Sequence, residues 1–207
     1  RQHRAEIRQE KKQVLNKEEI DEVDKKFDIN ALRVLASRYL RKDENGKIVE
    51  SPKQLFERVA IHTAISSLFY DDKIYKKAGG APEHRFEEFD PQKFDGKFSI
   101  GKYKLNQFHL EGLKRVYDRL AKARKIKISW QKFLELLKKG YFDKYEQEIT
   151  IFYNLMVDRR FMPNTPALAN FGNYFGSRKK FQTEKNYRRP RCPPKLAKTL
   201  SGANKAI

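Results

Sequence analysis

The chain is poor in the residues that most often carry chemistry. Its 207 residues include one cysteine, four histidines, two methionines and one tryptophan. A single cysteine excludes an internal disulfide and any multi-cysteine metal or redox centre. His3, His62, His84 and His109 are scattered, and none stands at a usual zinc spacing from another His, Cys or carboxylate, so they read as surface or packing residues and no metal site is expected. There is no glycine-rich phosphate loop, no nucleophile elbow and no internal repeat. No apolar run approaches the ~18 residues of a membrane span and no signal-peptide pattern opens the chain, so no membrane partner is expected. Asp71-Asp72 and Glu87-Glu88 are adjacent carboxylates that a strand or helix would point in different directions, which makes them weak acid–base candidates.

Aromatic residues and positive charge are abundant. Fifteen Phe, ten Tyr and one Trp, within 39% hydrophobic residues, can support a real core, since each fully buried large side chain contributes roughly 1.5–3 kcal/mol. Charged residues make up 35% of the chain and the net charge is +19. Residues 177–207 hold ten Lys/Arg and one acid, and so carry +9 of that total. In residues 1–176 the signs interleave, as in Glu18-Glu19, Asp21-Glu22 and Asp24-Lys25-Lys26. Interleaving of this kind describes a solvated surface. The tail alone has the lopsided composition of a nucleic-acid or disordered arm.

Periodicity predicts a mainly α fold. Residues 2–26 read as one polar helix with a sparse stripe of Ile7, Val14, Leu15, Ile20, Val23 and Phe27, already under way at the first residue as though a longer parent preceded it. Asn30 can cap a second helix. Asp43-Glu44-Asn45-Gly46 reads as a hairpin turn between Tyr39-Leu40 and Ile48-Val49. Ser51-Pro52-Lys53-Gln54 combines a capping hydroxyl, a first-turn proline and a Gln three residues on, which announces a helix through Leu68. Residues 71–105, broken by Gly79-Gly80, Pro82, Pro91, Gly96 and Gly101, read as a long, partly extended loop pinned by Phe86, Phe89, Phe94 and Phe98. Three further helices are expected: one capped by Asn106, one from Ser129 to Gly140, and one from about Tyr145 to Arg160, ended by Pro163.

The run from Arg159 to Gly172 does not read like ordinary structure. Asn164 and Thr165 sit between Pro163 and Pro166, which stiffen the backbone on both sides. A short hydroxyl on a rigid extended backbone suits hydrogen bonding to a phosphate or sugar oxygen. The same residues also suit a plain proline-bounded entry to a strand, with Thr165 as a turn residue.

Phe161 to Gly172, FMPNTPALANFG, closely resembles the FLPNSPTLMNAG type of segment in ribonucleotide reductases, particularly the adenosylcobalamin-dependent large chains. Asn30 to Ala60 resembles the helical N-terminal region of that family, with Arg-Tyr-Leu, an Asp-x-x-Gly turn and Pro-x-x-Leu-Phe-x-Arg-Val-Ala in the same order. Arg4 to Leu15 is similar to the exit from the ATP-cone module that often precedes it. The resemblance covers roughly residues 4–176. It implies an exit helix over 1–27 following an absent ATP-cone, a helical N-terminal domain over 28–160, the start of the catalytic α/β barrel over 161–176 with a truncated first strand near 161–168, and a divergent basic tail over 177–207. It implies further that Thr165, and more weakly Asn164, bind substrate. The complete enzyme would be cytoplasmic, would use adenosylcobalamin and would take a ribonucleotide substrate for deoxyribonucleotide synthesis.

The chain departs from the family at the cysteines. A Ser-Ala-Cys-Phe-like segment is expected soon after the Asn–Gly turn, but Gly176 is followed by Ser177-Arg178-Lys179-Lys180. The radical mechanism needs one thiyl cysteine and two reducing ones, and Cys192, in Arg191-Cys192-Pro193-Pro194, matches none of them. The expectation is therefore an N-terminal fragment without catalytic residues, binding no cofactor alone and needing the missing barrel as its partner. The tail is a frame-shifted or interrupted reading, the approach to an intein, or a genuine basic arm giving nonspecific nucleic-acid binding. A different class of function, a non-catalytic basic helical protein that binds nucleic acid, is the alternative.

Overall fold

The computed structural model describes residues 2–77 and 87–173. His84, Phe86, Gly79-Gly80, Pro82, Cys192 and every reading of the tail lie outside the described residues. The described chain is mainly helical, as expected, with one small antiparallel hairpin. None of its helices is long and apolar enough to cross a membrane.

The single helix expected over 2–26 is two helices, α1 (Gln2–Leu15) and α2 (Glu22–Lys26). Asn16 takes a left-handed conformation, φ +52°. The Lys17 amide reaches back to the Lys12 carbonyl and the Asn16 amide to that of Gln13, which ends α1 in a Schellman motif. Asp21 then starts α2 with a capping box closed by Asp24. The apolar stripe is nonetheless real, because Leu15, Ile20, Val23 and Phe27 are all buried. Lys11 secures α1 by donating to the Asp24 and Phe27 carbonyls.

Helix α3 (Ile29–Arg38) is capped by Asp28, whose carboxylate accepts from the Ala31 amide at 2.8 Å. The expected cap, Asn30, lies inside the first turn instead. The turn at Asp43–Gly46 forms as anticipated, with Gly46 at φ +79° and the Asp43 carboxylate accepting from the Asn45 and Lys47 amides. Its flanks meet in a single bridge, Lys42 with Ile48, rather than in strands. Helix α4 (Pro52–Ala64) begins as the sequence announces, with both halves of the Ser51–Gln54 capping box present. A 3₁₀ segment, Ile65–Tyr70, continues it.

The regular hairpin lies where a loop was expected: β1 (Phe98–Ile100) pairs with β2 (Tyr103–Leu105) around Gly101. Phe98, Ile100, Tyr103 and Leu105 are buried and alternate with exposed Ser99 and Lys104. That period-two pattern is a strand signal which the surrounding glycines obscure. Helix α5 (Gln107–Lys122) is capped by Asn106 and α6 (Trp130–Lys138) by Ser129, both as expected. Gly140, at φ +73°, turns the chain into a 3₁₀ segment, Tyr141–Tyr145, that leads into α7 (Glu146–Val157). Helix α7 ends before Pro163 is reached. Arg159 is left-handed at φ +59°, and the Arg160 amide bonds to the Leu155 carbonyl in a second Schellman closure.

Helix α4 lies at the centre, with Leu55, Phe56, Val59 and Ala60 fully buried. Phe69, Phe133 and Trp130 stack in succession at 5.2 Å between ring centroids, and Phe89 meets Trp130 edge-on. The strand expected near 161–168 is absent. Residues 161–164 form no regular element, Asn164 is extended, and the chain then turns into a short helix, α8 (Thr165–Asn170). Pro166 in its first turn has the φ that a helix needs and lacks an amide that would otherwise want a partner.

Candidate functional site

Thr165 opens α8 and is exposed, and its Oγ1 lies 3.0 Å from the Tyr39 hydroxyl at the end of α3. Asn164 is also exposed. It is the cap residue of α8 by position, but its side chain makes no capping bond, and only its carbonyl accepts, from the Ala167 and Leu168 amides. Phe161 and Met162, just before it, expose large apolar side chains. The prolines alone do not hold this segment. It is clamped from below.

The clamp is Arg58, on α4, 3% exposed. Its Nη1 donates to the Leu168 and Phe171 carbonyls at 3.1 and 2.6 Å, which otherwise would be orphaned at the end of α8. Its Nη2 donates to the Tyr39 carbonyl at 3.2 Å. Nε and Nη2 together form a two-pronged pair with the buried Glu50 carboxylate at 2.7 and 3.1 Å. Glu50 also accepts from the Arg41 amide and Nε, so both of its oxygens are satisfied. A buried charge pair is stable only when its remaining donors and acceptors are used. Here every partner belongs to an element that must be brought together: α3, the 41–50 turn, α4 and α8.

A second contact locks the end of the segment. Asn106 donates through Nδ2 to the Gly172 carbonyl at 2.9 Å. Gly172 is left-handed, φ +64°, and a Cβ there would fall 2.4 Å from His109 Nε2 and 2.9 Å from the Arg58 carbonyl. His109 accepts on Nδ1 from the Asn106 amide and, as the Nε2–H tautomer, donates to the Arg58 carbonyl at 2.9 Å. Its burial, set against that bond and reinforced by nearby His62 and Arg58, lowers its pKa to about 3. Protonating Nδ1 would set two donors against each other. His62 packs on Phe171 with ring centroids 4.5 Å apart, and its pKa is lowered by burial and then by Arg58 and Arg115.

Of the sequence-selected groups, Asp71 proves structural. Burial pushes its carboxyl up, but Lys144, the Lys73 amide and the Tyr141 and Tyr145 hydroxyls outweigh that and hold it at about 2. The fold brings His62 and His109 within 6.3 Å of each other, although they lie far apart in the chain. Among the described residues, no group of three His, Cys, Asp or Glu side chains could hold a metal ion. No motif in the sequence marks Tyr39 or Glu50 as a site residue. A signal existed for Arg58: it is a charge set among Leu55, Phe56 and Val59 on the apolar face of α4.

What the fold and clamp define is a mainly helical domain that presents an exposed, proline-bounded hydroxyl at its surface. Residues 25–176 match the family model of the ribonucleotide reductase all-alpha domain, and the chain belongs to that family. It is 33% identical over 182 residues to the vitamin B12-dependent ribonucleoside-diphosphate reductase of Thermoplasma acidophilum, a match that covers 85% of this chain and 20% of that protein. The chain thus spans about a fifth of the relative it matches. No solved structure matches it.

Proposed function

We propose that this chain is the helical N-terminal part of an adenosylcobalamin-dependent ribonucleoside-diphosphate reductase, and that its task is to deliver Thr165 to the substrate. The observation that carries this reading is the Arg58–Glu50 clamp, which spends a buried charge pair on holding a six-residue helix whose Thr165 and Asn164 face outward. A helix that short has little stability of its own. Thr165 would donate a hydrogen bond to a substrate oxygen, with Asn164 beside it as a weaker contact. Replacement of the ribose 2′-hydroxyl by hydrogen would take place on the catalytic barrel, the partner that supplies the three cysteines.

The proposal assigns the adenosylcobalamin to the catalytic barrel. Helix α1 would be the exit from an ATP-cone, and the assembled enzyme would act in the cytoplasm in deoxyribonucleotide synthesis. The test is a chimera in which residues 2–173 of this chain replace the matching region of the Thermoplasma acidophilum relative. Supplied with adenosylcobalamin, a ribonucleoside diphosphate and a dithiol, it should form deoxyribonucleotide, and this chain alone should form none. A folded chimera without activity would overturn the reading.

A further inference from the structure

We propose that Tyr39 is a positioning residue for Thr165: its hydroxyl donates to Thr165 Oγ1 and leaves the Thr165 proton pointing outward, toward a phosphate or sugar oxygen of a bound nucleotide. The inference rests on the reading that Thr165 meets substrate. A hydroxyl carries one proton and two acceptor sites, so at a separation of 3.0 Å one of the two oxygens must donate and the other accept. If Thr165 donated to Tyr39, its proton would be spent within the domain. If Tyr39 donates, the pair becomes a relay of one polarity, Tyr39 O–H to Thr165 Oγ1 and Thr165 O–H to an acceptor outside. An anionic substrate oxygen, which can only accept, selects that polarity.

The placement of the pair is not incidental. Tyr39 and Thr165 are 126 residues apart in sequence. A single guanidinium holds both of their backbones, Arg58 Nη2 on the Tyr39 carbonyl and Nη1 on the carbonyls that end α8. Threonine is stiff about its first side-chain torsion, so one hydrogen bond to Oγ1 is enough to choose its rotamer.

Two measurements decide the point. In the chain itself, three-bond couplings across the Thr165 side chain should report one rotamer in wild type and averaging in Tyr39→Phe; averaging already present in wild type would overturn the proposal. In the active chimera, Tyr39→Phe should raise KM for the ribonucleoside diphosphate about two- to tenfold, the worth of one neutral hydrogen bond, with little change in kcat. The same substitution should do nothing further in a Thr165→Val background. An equal loss in both backgrounds would make Tyr39 a packing residue and overturn the proposal. An inactive chimera speaks against the functional reading alone, because the couplings still decide the orientation.

Discussion

Helices α4 and α8 begin with similar punctuation and are held in place by opposite means. Each has a polar residue at the cap and a proline in its first turn. Ser51 and Gln54 close their capping box within four residues, and an apolar face of Leu55, Phe56 and Val59 follows at helical spacing. Asn164 makes no side-chain capping bond, and α8 buries only Ala167 and Leu168. Its carbonyl end is satisfied instead by an arginine 110 and 113 residues away. A helix with local signals and a full apolar face stands on its own instructions. A six-residue helix exposed on one side cannot, and it takes its order from the core.

The sharpest way to break that contrast is to remove the clamp. Arg58→Met leaves the buried Glu50 carboxylate with Arg41 alone, and losing one partner of a buried pair costs about 3–5 kcal/mol. Denaturant unfolding should show that loss, with amide exchange rising first at residues 165–172. A variant that unfolds at the wild-type denaturant midpoint would show that the clamp does not order α8.

Gly172→Ala should come next. It forces a Cβ into the left-handed region and against the Arg58 carbonyl, at a cost of about 2 kcal/mol or more. Thermal unfolding measures this, and a cost under half a kcal/mol would mean that the 171–173 turn is free to shift away from α5.

The junction should also be acid-sensitive. His109 titrates at about 3 in the folded chain against an ordinary 6.5, so between those values the unfolded chain binds more protons and stability falls as pH falls. The stability is complete above about 6.5 and is lost on the way down toward 3, at up to about 1.4 kcal/mol per pH unit for one proton. Stability curves over that window should be flatter in His109→Gln. His62, whose pKa is lowered as well, adds in the same direction, so a residual slope is expected.

The smallest effects sharpen the comparison most directly. Ser51→Ala should cost about 1 kcal/mol, the usual worth of a lost cap, whereas Asn164→Ala should stay within about 0.5 kcal/mol because that side chain caps nothing. Equal costs in chemical unfolding would erase the distinction between the two helix starts.

Legibility followed the range of the interactions. Ser51, Asn106 and Ser129 were readable as caps because a cap is settled within three residues, and Gly140 as a helix end because positive φ suits glycine. Asp28 and Asn30 are both capping types two residues apart, and spacing alone leaves open which of them starts α3. The break at Asn16 was hidden because the apolar stripe runs on through Ile20 and Val23 across the gap. The 98–105 hairpin was hidden because Gly96 and Gly101 look like breakers until the alternation of Phe98, Ile100, Tyr103 and Leu105 is counted. The FMPNTPALANFG segment led to Thr165, and its expected strand became a helix once Arg58 offered partners for the carbonyls that a strand would have paired with neighbours.

The sequence by itself determined that the chain would be mainly helical, where most of the helices would start and which family it would join, because caps, periodicity and short motifs act over a few residues. Only the tertiary structure decided that Arg58 and Glu50 would be buried together, that Tyr39 would meet Thr165 and that Gly172 would close against His109. Those contacts join residues 63 and 126 positions apart or pair charges inside the core. Such pairings form only after the apolar faces of α3, α4 and α5 have packed, and the buried ones among them hold because packing removes the water that would otherwise satisfy those groups.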